Sequence, residues 1–149
     1  MSDEATPDIP AGFKPIKRGG PFLSGLGPLY YRREGEGIVI AIRVQEQHLN
    51  TRGIAHGGML MTLADSALGI SLSNTRNPPL PMVTVTMSTD FLQVASPGDW
   101  LEAKVEVDRV GKRLAYATCY LYVGDKRILR ASGVFALVSP VKPKEDFEG

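Results

Sequence analysis

The chain has 149 residues, 43% of them hydrophobic and 22% charged, with a formal net charge of +1. That length buries a core of its own as one domain, and the near-neutral balance excludes a whole-protein attraction to nucleic acid or to a membrane surface. One cysteine, Cys119, and two histidines exclude an intrachain disulfide, a cysteine cluster and a histidine-rich metal site.

The start, Met1-Ser2-Asp3-Glu4, is acidic and lacks the apolar core of a secretory signal. No apolar run approaches the roughly 20 residues of a spanning helix, so a cytoplasmic protein is expected. Residues 1–24 are rich in proline and glycine and read as a flexible arm with one short turn at most, which Phe13, Phe22 and Leu23 could pin to the body. The folded domain is expected over residues 25–139. It opens with a short strand candidate at 29–33 and a β-branched strand at 38–44, followed by a polar loop over 45–53.

The one good helix is expected over residues 57–74. Leu60, Leu63, Ala64, Ala67, Leu68 and Ser71 recur at spacings of three and four and make one face, while Met61, Thr62, Asp65 and Gly69 lie on another. Its small residues suit a sheet wrapped closely around it, and the prolines of 75–81 end it.

Strands follow at 82–94, 99–110, 114–123 and 127–138. In the first, Val83, Val85 and Met87 are expected on one side and Thr84, Thr86 and Ser88 on the other. The connections Ser96-Pro97-Gly98-Asp99, Val110-Gly111-Lys112-Arg113 and Val123-Gly124-Asp125-Lys126 are short, implying an antiparallel meander. The charged tail, 140–149, reads as flexible. One long helix with a run of strands is an α+β pattern.

Asp65 is the only formal charge between Arg52 and Arg76. Buried without partners it would be costly. It therefore either pairs with an arginine such as Arg52 or Arg76, or faces a cleft as a general base or nucleophile. His56-Gly57-Gly58 stand at the helix start, where free N–H groups form a positive pole able to polarise a carbonyl oxygen. The same glycines would also serve simply to bend loop into helix. Asn50 is either a turn residue or a group that orients water or a carbonyl. Cys119 has no activating neighbour in sequence, and no Gly-x-Ser-x-Gly elbow is present.

The arrangement Asn50-x5-His56-Gly57-Gly58-x6-Asp65 closely resembles the hotdog-fold acyl-CoA thioesterases of the phenylacetate-degradation type, a likeness that extends over residues 25–138. The resemblance implies a curved antiparallel sheet around a central helix. It also implies hydrolysis of an acyl- or aryl-acyl-CoA to free acid and coenzyme A, with no metal and no cofactor, coenzyme A being part of the substrate. Homodimers with active sites at their interface, often paired into tetramers, are implied as well. Asp65 then matches the base or nucleophile, and Gly57 or Gly58 the amide that binds the thioester oxygen. Asn50 and His56 match its polar companions, and Thr84 a hydroxyl that reaches the partner's site.

The turn with Gly111, Lys112 and Arg113, and Arg109 beside it, matches where that family binds the coenzyme A nucleotide. Physically these side chains offer charge-assisted donors for phosphate. Arg127 and Arg130 are weaker candidates of the same kind. Met59, Met61, Leu80, Met82 and Val83 are candidates for an apolar acyl pocket. Two rivals stand beside hydrolysis: a hydratase or dehydratase of acyl thioesters, and a non-catalytic acyl-CoA sensor, which would not need Asp65.

Overall fold

In the computed structural model, which describes residues 8–17 and 19–139, one long helix packs against one face of a single seven-stranded antiparallel sheet. Both the first residues of the arm and the expected tail from residue 140 lie outside the described residues. The strands are β1 (Lys14–Pro15), β2 (Tyr30–Glu34), β3 (Gly37–Arg43), β4 (Met82–Phe91), β5 (Trp100–Val110), β6 (Leu114–Val123) and β7 (Lys126–Leu137). They lie in the order β1-β2-β3-β5-β6-β7-β4. A short helix, α1 (Pro21–Leu26), precedes β2, and the long one is α2 (Gly57–Ser73).

The inner face of α2 follows from its sequence period. Met59, Leu60, Leu63, Ala64, Ala67, Leu68 and Leu72 are buried. Leucines 63, 68 and 72 are fully enclosed, and such burial stabilises by about 2 kcal/mol per side chain. Ser71, expected on this face, is only half-buried. Small residues let helix and sheet come close: a Cβ at Gly133 of β7 would stand 2.9 Å from Leu68 Cδ1 and from Phe135 Cε1.

Residues 38–42 in β3 are buried without alternation because both faces of the strand are covered. Ile38, Ile40 and Ile42 join the helix-side core, while Val39 and Ala41 pack with Phe13, Tyr30 and Trp100 on the other face. Phe13 meets Trp100 edge-on at 5.2 Å, so it does pin the arm. Where sequence reasoning expects a loose arm, the chain forms β1, paired with β2, and then α1. Leu23 packs against the core as expected, whereas Phe22 is 74% exposed and takes no part in it.

The expected meander holds for β5-β6-β7 only. β4 pairs with β7 at the far edge, and β5 lies between β3 and β6. Residues 92–99 are therefore a crossover and not a hairpin. They pass the N-terminal end of α2, where Ala95 O accepts from Ala55 N (2.9 Å), and reach β3, where Gly98 N donates to Val44 O (2.8 Å).

The expected alternation of β4 is also corrected. A bulge between Thr84 and Thr86 leaves Val85 unpaired, so the strand changes phase there. Thr84 lies opposite Phe135, and Met87 opposite Gly133, both on the helix side. Val83 and Thr86 face the other way.

Candidate active site

His56 caps α2 in extended backbone geometry (φ −65°, ψ 135°), and its Nδ1 accepts from Gly58 N at 2.8 Å. A backbone amide can only donate, so Nδ1 is the acceptor and the neutral ring carries its proton on Nε2. The next two amides, Met59 N and Leu60 N, both turn to His56 O at 3.0 and 3.1 Å. Among the described residues this leaves Gly57 N–H as the amide of the first turn without an acceptor. Of the two candidate oxygen-binding amides, Gly58 is thus already used and Gly57 is available. A Cβ on Gly57 would meet Phe91 Cε1 at 3.3 Å, so the end of β4 lies against this residue.

Asn50 is a turn residue in this chain. Its Oδ1 accepts from Arg52 N (2.9 Å) and Ile54 N (3.3 Å), which shapes the loop before the helix. Its amide nitrogen is the part left to orient a ligand.

Asp65 lies two turns further along α2, half-buried, and its Oδ1 accepts from Thr84 Oγ1 at 2.7 Å. It pairs with neither Arg52 nor Arg76, and among the described residues no ion pair reaches it. The two residues open on a cleft of about 520 Å³. Its apolar walls are Phe22 and Leu23 of α1, Met61 of α2 and Met87 of β4, with Thr62 and Ser66 beside the acid.

The helix face expected to carry Met61, Thr62 and Asp65 is therefore the cleft face. Ser66, Met87, Phe22 and Leu23 also line it, and sequence reasoning did not place them there. Ser66 was legible four residues after Thr62, on the same helix face; the α1 pair carried no periodic signal. Other expected lining residues are elsewhere. Met59 is buried in the core, Met82 packs on that core, and Val83 is 51% exposed on the opposite face. Leu80 is engaged through its backbone, its N donating to Ser73 O and its O accepting from Ser73 Oγ.

The turn at 111–113 closes through Gly111 N donating to Leu114 O (2.8 Å), where a Cβ on Gly111 would crowd that oxygen at 3.1 Å. Arg109, Lys112 and Arg113 are exposed around it. The ladder aligns Leu114 with Ala136 and Ala136 with Val83. The turn thus lies at the Thr84 end of the sheet, two strand spacings or about 10 Å from β4. Arg130 and Arg127 do not join it: Arg130 pairs with Asp90 (2.8 Å), and Arg127 donates to Tyr122 and stacks on Tyr120. Cys119 is fully buried, which pushes its thiol up to about 12. It carries no chemistry here.

Residues 52–129 match the family described as the thioesterase superfamily. A Pseudomonas aeruginosa protein named as an esterase is 46% identical over 131 residues, covering 87% of this chain and 98% of its own length. Mouse acyl-coenzyme A thioesterase 13 is 32% identical over 83 residues, covering 56% of this chain and 59% of that protein. Among solved structures, a variant of the phenylacetic acid degradation protein PaaI from Thermus thermophilus superposes with a TM-score of 0.71 at 26% identity, over 80% of this chain and all of that one.

Proposed function

The chain belongs to the thioesterase superfamily, and from that premise we propose that it hydrolyses acyl-CoA thioesters in the Asp65 cleft. The observation that carries this reading is a carboxylate in a largely apolar cleft, held by one hydroxyl and by no cation among the described residues. A structural acid would be matched by an arginine. A sensor that only binds would need no acid there. Both named relatives are hydrolases by name, which favours hydrolysis over hydration of a double bond.

Thr84 holds Oδ1 of Asp65, and the other oxygen takes a proton from water as that water attacks the thioester carbon. Gly57 N–H stabilises the oxyanion that develops. When the intermediate collapses, the carbon–sulfur bond breaks and Asp65 returns the proton to the departing thiolate. Free acid and coenzyme A leave, and Asp65 is regenerated. Lys112 and Arg113, with Arg109, give the coenzyme A phosphates their charge-assisted donors.

These two parts do not meet within one chain. Asp65 stands eight residues after Gly57 on the helix, about 12 Å along the axis. Gly57 N–H must lie within about 3 Å of the carbonyl oxygen, and Asp65 within about 3 Å of the water that attacks the carbon bearing it. The edge of β4 offers the solution. Thr84 marks the Asp65 end of this strand and Phe91 the Gly57 end. A second copy paired antiparallel along β4 exchanges those ends and sets its Gly57 towards this chain's Asp65. Val85 and Phe91 are 57% and 53% exposed on that edge strand, the kind of edge that proteins cover. The functional unit proposed is this dimer, with two composite sites.

The reading is tested by release of free thiol from a panel of acyl-CoAs by the wild type and by Asp65→Asn. Turnover by the wild type that Asp65→Asn abolishes supports it; equal turnover by both would refute the role of Asp65.

A further inference from the structure

The acyl side of the cleft is built by the element that composition made least conspicuous. We propose that α1 is the wall that selects the acyl group, and that His48 is the positioning residue that holds this wall; both rest on the thioesterase reading above. Phe22 and Leu23 face Met61 and Met87 across the cleft that Asp65 opens on. No polar side chain of α1 lines it, so the group that fits there is an uncharged, apolar acyl chain or aryl ring that extends beyond the thioester.

α1 is poorly anchored for a wall. None of its residues is buried, and Gly20 and Gly27 flank it with φ of 90° and 118°. A second pocket, of about 290 Å³, is lined by Leu23 and Ser24 of α1 and by the segments that flank the helix, Ile16 and Gly19 before it and Gly27 to Leu29 after it. Leu23 and Leu26 pack against the core from the outside, and the C-terminal end of the helix is tied by one side-chain hydrogen bond. His48, the buried polar side chain of the described core, donates from Nε2 to Leu26 O at 2.6 Å. The direction of that bond follows from the other ring nitrogen, since Nδ1 accepts from Gln45 N at 2.9 Å.

The same residue is tied to the catalytic helix. His48 O accepts from His56 N at 2.8 Å, and His56 caps α2 beside Gly57. One buried residue thus joins the acyl wall on its side-chain face to the cap of α2 on its backbone face. Gly27 passes close to this anchor: a Cβ there would meet Gln47 Nε2 at 3.2 Å and His48 Nε2 at 3.7 Å. Loss of the ring bond would leave α1 held by its apolar contacts alone, beside an open pocket, and would blur selection among acyl groups.

The experiment compares kcat/KM for acetyl-, hexanoyl-, decanoyl- and phenylacetyl-CoA in the wild type, Phe22→Ala, Leu23→Ala and His48→Gln. The expected wild type prefers one of the bulkier groups, and whether that is the aliphatic chain or the ring identifies the ligand within the apolar class. Phe22→Ala lowers the ratio of that group to acetyl by about tenfold, the scale of one lost apolar contact in a specificity pocket. His48→Gln lowers the same ratio and raises KM more than it lowers kcat. Phe22 is exposed, so its variant tests the wall even where His48→Gln fails to fold. An unchanged acyl profile in both α1 variants, with turnover intact in the wild type, overturns the wall and leaves the thioesterase reading standing. No thiol release from any of the four by the wild type overturns both.

Discussion

Thr84 Oγ1 donates a 2.7 Å hydrogen bond to Asp65 Oδ1, joining the edge strand to the middle of the long helix across 19 residues of sequence. A hydroxyl that gives its proton to one carboxylate oxygen fixes the direction in which the other faces. Thr84→Val keeps the shape and loses the donor, and kcat is expected to fall about tenfold, as for a hydrogen bond to a charged group. Thr84→Ser restores most of that loss. Steady-state thiol release on the two variants checks this, and equal rates in Val and Ser would remove Thr84 from the mechanism.

His56 stabilises as a cap as well as ordering the site. His56→Ala frees Gly58 N–H and is expected to cost about 1 kcal/mol of stability. Urea unfolding with a lowered midpoint and an unchanged slope is the expected result. The variant also gives the first turn a second open amide, so activity should fall through misplaced substrate and not through loss of a proton donor.

Cys119 sets an alkaline limit. Burial raises its thiol from 9.0 to about 12, so the folded chain keeps a proton that the unfolded chain releases. That contribution is full below pH 9, and it is lost as pH rises from 9 through about 12, at a slope approaching ~1.4 kcal/mol per pH unit. Cys119→Ala flattens this limb of the stability curve measured by thermal unfolding. In the native wild type the thiol should also resist alkylation at pH 8 and react once urea unfolds the chain.

Much of this architecture was legible because it is periodic. The inner face of α2 follows from the spacing of Leu60, Leu63, Ala64, Ala67 and Leu68, and the strand segments from their β-branched runs. Asp65 stood out as the one charge in an apolar helix. What stayed hidden depends on distant partners. Ser96-Pro97-Gly98-Asp99 has the same local chemistry in a hairpin as in the crossover that it ends, so the place of β4 was not readable. The bulge at Val85 inverts an alternation that the sequence carries without interruption. Which glycine amide is free rests on where the His56 ring turns, and α1 lies in a proline- and glycine-rich stretch with no pattern to count.

Gly57 is the one position where the proposed oxyanion donor can be deleted without disturbing its helix. It is the first helical residue, where proline is tolerated, and His56 before it already has the extended geometry that proline requires. A Cβ at this position stands 3.3 Å from Phe91 Cε1, so the ring at the end of β4 must give by only a few tenths of an ångström. Gly57→Pro is therefore expected to fold and dimerise as the wild type does while kcat falls about 10²- to 10³-fold. Circular dichroism and size-exclusion chromatography check the first part and thiol release the second.

The central claim is that Asp65 of one chain works with Gly57 of another, and mixing two inactive variants tests it most directly. Asp65→Asn and Gly57→Pro are each unfolded, refolded together in equal amounts and assayed. If each site takes one residue from each chain, every mixed dimer carries one site with both residues intact, and activity returns to about a quarter of the wild type under random pairing. Activity no higher than that of either variant refolded alone, with mixed dimers present by native mass spectrometry, would contradict the composite site.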